Sequence, residues 1–228
     1  MNVSWIDAAA SAPKTELRIY LLGEPYLFDV TTGKVITVPA RCISLLAFLL
    51  LNRKPLLRQT IATALWPDAS YADGRASVRR HLFQLLRALP EGSRTCVSLE
   101  RQRLEWNPLA RVWCDVEAFD RTSEHESTRS EALELYGGDL LPADDSEWPM
   151  EHRNRLREKH CTLLAAVAEA KIRSGDTGGA ALSLRRLLAV DPFREDAFRS
   201  LFVLRSASGD RAGATSDYHN FVRMLGVE

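Results

Sequence analysis

The chain has no apolar run long enough to cross a membrane; nothing in it approaches 18 consecutive apolar residues. The longest stretch, Ile43 to Leu51 with Ser44 inside it, suits a core helix. Cysteine is scarce. Cys42, Cys96, Cys114 and Cys161 lie 54, 18 and 47 residues apart with no CxxC pair, so reduced thiols are expected rather than disulfides or a zinc site. Residues 1–13 carry Asp7 and no basic n-region, which argues against a secretory signal and leaves a cytoplasmic protein as the expectation. Enzyme signatures are missing: no P-loop, GxGxxG, GxSxG or HExxH pattern occurs, and the acids are scattered. His152, His160 and Cys161 share a helix but lack an i,i+4 ligand pair, and Asp144, Asp145 and Glu147 read as a solvated acidic loop. Neither catalysis, a metal nor a cofactor is expected.

What is present is an ordinary globular composition with a hidden asymmetry. The 228 residues suit one or two domains, and a chain of this length buries roughly 70–75% of its unfolded surface without staples. The net charge is zero, yet residues 1–107 sum to +5 and residues 108–228 to −5. Between Ala40 and Pro90 there are 8 basic residues and 2 acidic ones. Such a split hints at a nucleic-acid face on the first half, or at a merely solvated basic surface.

The order of elements gives that hint a fold. Glu16 to Leu22, Pro25 to Val30 and Val35 to Val38 read as a short antiparallel sheet. A helix runs from Pro39 to about Asn52, a second from about Arg58 to Trp66, and a polar loop covers Pro67 to Gly74. The third helix, about Gly74 to Leu89, buries Val78, Leu82, Leu85, Leu86 and Leu89 and turns Ser77, Arg80, His81, Gln84 and Arg87 the other way. It contains four arginines and, within those bounds, no acid. Thr95 to Leu99 and Arg103 to Trp106 follow as two strands. Sheet, three helices and hairpin describe a winged helix-turn-helix, whose third helix enters the major groove while the hairpin lies against the backbone.

Helices fill the second half, at 115–122, 129–136, 150–174, 177–190, 194–207 and 211–225. Gly175-Asp176-x-x-Gly179-Ala180 recurs as Gly209-Asp210-x-x-Gly213-Ala214, and Leu184, Leu187 and Leu188 recur as Tyr218, Phe221 and Val222. The offset of 34 residues is the tetratricopeptide (TPR) period. Gly-Asp is expected to end one helix with a left-handed cap, and the Gly179/Ala180 pair to let the next helix pack closely.

At these residues the chain resembles the SARP-type regulators (antibiotic regulatory proteins), which join an OmpR/PhoB-like winged helix to a bacterial transcriptional activator domain. Ile61 to Pro67 and Arg75 to Leu89 resemble the family's second helix, turn and recognition helix. Leu104 to Pro108 and Val112 to Phe119 resemble its domain junction, and Tyr136-Gly137-Gly138-Asp139-Leu140-Leu141-Pro142 with Glu147-Trp148 the start of its activator domain. The resemblance covers about residues 16–228 and implies an α+β winged helix at 14–108 followed by an all-α TPR-like domain at 109–228. It further implies binding to tandem repeats in double-stranded promoter DNA, a homodimer at least on DNA, and recruitment of RNA polymerase.

The DNA-binding set read from the chain is Arg58, Arg75, Ser77, Arg79, Arg80, His81, Gln84, Arg87, Arg101 and Arg103. Related recognition helices carry further basic residues where Phe83, Gln84 and Leu86 stand here; Phe83 is either a thymine contact or core. Trp66, Trp113 and Trp148 are expected as core or interdomain anchors. Two accounts remain open: a DNA-binding activator, or an interaction module with a degenerate winged helix that binds no DNA. The chain stops at Leu225-Gly226-Val227-Glu228, where larger relatives continue into ATPase or sensor regions, so it is either a stand-alone regulator or a piece of a longer one.

Overall fold

The computed structural model describes residues 15–226, apart from the side chains of Asn220, Met224 and Leu225; the segment read for a targeting signal lies outside the described residues. The chain forms two compact units. The first ends at Ala118 and takes back Leu135–His152, and the second comprises Phe119–Glu134 and Arg153–Glu228.

The first unit opens with β1 (Leu17–Tyr20), β2 (Tyr26–Asp29) and β3 (Lys34–Ile36), an antiparallel meander. In β1, Leu17 and Ile19 are buried and Arg18 is exposed, as the two-residue period of a half-covered sheet requires. α1 (Ala40–Asn52) is buried without a break from Cys42 to Leu50, so it is the central helix of the unit. β4 (Leu56–Leu57) leads into α2 (Arg58–Leu65), and α3 (Tyr71–Ala88) follows.

α3 begins three residues earlier than its periodicity suggests, because Ser70 caps it. Ser70 Oγ accepts from the Asp73 amide at 3.2 Å and lies 2.6 Å from the Asp73 carboxylate. The segment read as the end of a polar loop is therefore the first helical turn, and the helix does contain one acid. Gly74 just after it lets α2 and α3 cross closely, since a Cβ there would stand 3.1 Å from that of Ala62 and push the helices apart by a few tenths of an ångström.

A 3₁₀ turn over Glu91–Cys96 shortens the strand expected from Thr95. β5 (Val97–Glu100) and β6 (Arg103–Trp106) form the hairpin, and β4 completes a sheet of order β4-β6-β5. Past the expected boundary at Pro108, β7 (Val112–Cys114) pairs parallel to β1, so the first sheet has the order β3-β2-β1-β7 and is not purely antiparallel.

α4 (Asp115–Thr122) starts on a buried carboxylate. One Asp115 oxygen accepts from the Leu21 and Leu22 amides at 2.8 Å each, and the other from Val116 at 2.8 Å. Burial raises its pKa, and those three donors only partly offset the rise.

Residues 135–152 close this unit from outside the expected domain. Gly23 donates to Asp139 O at 3.0 Å and Leu141 to Leu21 O at 2.9 Å, while a Cβ on Gly137 would press to 2.9 Å from Leu22 O. Trp148 meets Phe48 edge-on at 5.2 Å, and Trp113 lies 5.2 Å from Tyr20, so both serve the core of this unit. Asp144, read as solvated, instead accepts from Ser44 Oγ at 2.6 Å and lies 3.5 Å from Arg41.

The second unit holds α5 (Arg129–Leu135), α6 (Met150–Arg173), α7 (Thr177–Val190), α8 (Glu195–Ala207) and α9 (Arg211–Leu225), whose bounds extend into the first only at the ends of α5 and α6. Its core gathers Cys161, Leu164, Ala168, Leu184, Leu187, Ala197 and Leu201. His160 is buried, and that burial, with Arg186 nearby, lowers its pKa to about 4. The 34-residue repeat is one of geometry too. Gly175 and Gly209 both take φ +81°, and the Asp176 and Asp210 carboxylates cap the next helices by accepting from Gly179 N at 2.8 Å and Gly213 N at 3.0 Å. Lys171 and Arg205, at the same offset, reach those carboxylates at 3.8 and 3.6 Å. Ala180 and Ala214 are the buried members of the small pairs. A Cβ on Gly179 or Gly213 would first meet the ends of the capping carboxylate and of the cation from the preceding helix, not the backbone of a neighbouring helix, so the close helix packing expected of these glycines is not what they provide.

Candidate nucleic-acid interface

A helix turns about 100° per residue, so the core contacts of α3 fix what faces outward. Val78, Leu82 and Leu85 are buried on one side, and Ala76, Arg79, Arg80, Phe83 and Arg87 are exposed on the other. His81 does not belong to the outer set. It is 8% exposed, its Nδ1 lies 2.8 Å from Ser77 O, and its ring sits 5.0 Å from that of Trp66. Its place in the DNA-binding set is therefore corrected to that of a core histidine. Ser77 is half-buried. Gln84 is exposed and, with Arg87, lines a shallow depression of about 360 Å³ against Thr37, Val38 and Pro39.

The N-terminal end of α3 makes a more defined basic cleft. Arg58, Tyr71, Ala72, Arg75 and Arg79 enclose about 310 Å³. The Arg75 guanidinium lies 5.5 Å over the Tyr71 ring with one nitrogen 3.4 Å from its hydroxyl, which steadies a long side chain at the rim. Arg58 links this cleft to the wing: its amide donates to Gln102 O at 3.0 Å, and its chain neighbour Leu57 pairs with Arg103. The wing tip is the two-residue turn Arg101-Gln102, with Arg101 at φ +47°, and Arg101 and Arg103 are exposed beside it.

Charge is left open across this region. Among the described residues no carboxylate lies within ion-pair distance of Arg58, Arg75, Arg79, Arg80, Arg87, Arg101 or Arg103. Elsewhere among the described residues Arg41, Arg53, Arg111, Arg155 and Arg205 reach one while Arg94, Arg121, Arg185 and Arg199 do not, so what sets the seven apart is their clustering on α2, α3 and the wing. Guanidinium forks without a carboxylate suit phosphate oxygens and the acceptor edge of guanine. Tyr71 is the member that reading by periodicity omits. Its signal is the i,i+4 spacing to Arg75, hidden when Tyr71 is assigned to a loop.

Among the described residues no group of three His, Cys, Asp or Glu side chains is placed to hold a metal, and no helix is long and apolar enough to cross a membrane. The four cysteines are buried and form no disulfide.

The family model described as the bacterial transcriptional activator domain matches residues 114–228. No curated protein matches the chain. Among solved structures, that of Mycobacterium tuberculosis EmbR in complex with a low affinity phosphopeptide is similar, at 21% identity and a TM-score of 0.73 over 93% of this chain. The chain spans 60% of the length of that structure, and the likeness is one of fold. The resemblance to SARP-type regulators is borne out, as is the order of a winged helix followed by a TPR-like helical domain.

Proposed function

Because the chain belongs to the family of the bacterial transcriptional activator domain, we propose that it is an activator that grips promoter DNA with α3 and the β5–β6 wing. The observation that carries this reading is the set of seven arginines on α2, α3 and the wing with no ion-pair partner among the described residues. An uncompensated cationic face repels itself, and a polyanion relieves that repulsion. α3 supplies the groove contacts, and Arg58, Arg75 and the wing hold the flanking phosphates, so affinity is dominated by counterion release. Ser77 is at most a minor contact, and Gln84 and Arg87 flank the far end of the helix.

The helical half holds the partner, a second copy on adjacent repeats or RNA polymerase. Exposed Leu182, Phe193, Phe202, Val203 and Tyr218 offer it apolar surface.

The test is a mobility shift on a duplex from the region upstream of the protein's own coding sequence, against a scrambled duplex, with the parent and with Arg101→Ala. The parent is expected to bind both, the upstream duplex more tightly, and to weaken steeply with salt. The wing variant should lose a modest, sequence-independent part of the affinity. No salt-sensitive affinity for either duplex would replace this reading with that of an interaction module whose winged helix is degenerate.

A further inference from the structure

We infer that Phe83 reads a base: its ring packs on the 5-methyl group of a thymine in the major groove and so fixes a T·A pair in the preferred site. This rests on the DNA-binding reading above and adds what the helix selects.

Phe83 is 65% exposed, so the core does not account for it. A single exposed apolar side chain needs no explanation by itself, but at the centre of a basic helix face this one is placed to meet whatever partner that face meets. Its surroundings say which kind. Arg79 and Arg80 precede it by one turn and Arg87 follows by one, and on the helical wheel all three lie within about 60° of it. All are exposed, and none has a carboxylate in ion-pair range among the described residues. Ala76, two turns before Phe83 and also exposed, keeps the face narrow.

An apolar protein groove that accepted the ring would have to desolvate three bare guanidiniums around it, whereas DNA pairs them with phosphates or guanine edges. A phenyl ring has no donor or acceptor, so it cannot read the polar edge pattern of a base. Thymine alone among the four bases presents a methyl group in the major groove, and phenylalanine is a suitable apolar contact for it.

The experiment starts from a pool of duplexes with a random core, selected on the full chain. The recovered duplex is then titrated by fluorescence anisotropy with its thymines replaced one at a time by deoxyuridine, which removes only the methyl. At one thymine per bound copy the parent should lose affinity about fourfold, the equivalent of one methyl group leaving an apolar contact. Phe83→Ala should melt like the parent, keep the salt dependence carried by the arginines, and bind the thymine and deoxyuridine duplexes equally. Parent affinity indifferent to every replacement, or Phe83→Ala as sensitive as the parent, would overturn the inference and leave the DNA-binding reading standing. A parent with no salt-sensitive affinity for any duplex would remove both.

Discussion

A carboxylate enclosed by backbone amides matters most where those amides have no other acceptor, and Asp115 is in that position. It takes the amides of Leu21 and Leu22 where the chain leaves β1, and that of Val116 at the start of α4. Asp115→Ala would strand three buried donors, at about 1–3 kcal/mol for each that water cannot reach. We expect urea denaturation to show a destabilisation of about 3 kcal/mol or more, and a smaller one for Asp115→Asn, whose amide oxygen can still accept. Equal stability of Asp115→Ala and the parent would show that these amides find other partners. This residue is not legible in the sequence, where an Asp between Cys114 and Val116 reads only as a helix start. His81 and Phe83 show the same limit from another side. A 100° period fixes the centre of the buried stripe but not its flanks, and His81 sits on a flank where the ring of Trp66 decides the outcome.

Elements with a strong local signal are legible in the sequence. α1, α2, α7 and α9 lie close to their expected spans because each combines an apolar stripe with a clear start or stop. The start of α3 is hidden although Ser70 and Asp73 form a capping pair, because Pro67 and Asp68 just before them read as a longer loop. β7 carries almost no signal: three residues, paired in parallel with a strand more than ninety positions earlier. The TPR-like repeat is legible because its turn and its core recur in phase, but the part played by its glycines is not. Asp176→Ala and Asp210→Ala, which remove the carboxylates that cap α7 and α9, should each cost about 1 kcal/mol. Gly179→Leu, which displaces both the cap and Lys171, should cost about 1–3 kcal/mol. Thermal melts of the three variants measure this, and three unchanged midpoints would contradict the capping geometry.

At the scale of the whole molecule, composition and element order suffice for the two-part architecture, since each half is locally consistent with its class. The course of the chain is less visible. Tyr136 to Pro142 resembles the start of an activator domain, yet its backbone pairs with residues 21–23 of the winged-helix unit. Pairing of that kind depends on shape, with Gly23, Gly137 and Gly138 leaving space for close backbone approach, and no periodicity announces it. Charge, in contrast, is legible from the start: five of the eight basic residues between Ala40 and Pro90 make up the arginine face of α2 and α3.

The most direct test of that face is the salt dependence of duplex binding by the parent and by the Arg79→Ala/Arg80→Ala double variant. Both side chains are exposed, so melting should be nearly unchanged, within about 0.5 kcal/mol per site. Affinity for the selected duplex should fall, and the slope of log K against log salt should flatten by about 0.9 for each phosphate that is no longer neutralised. A double variant that keeps both the parent's affinity and its slope would contradict the placement of α3 in the groove.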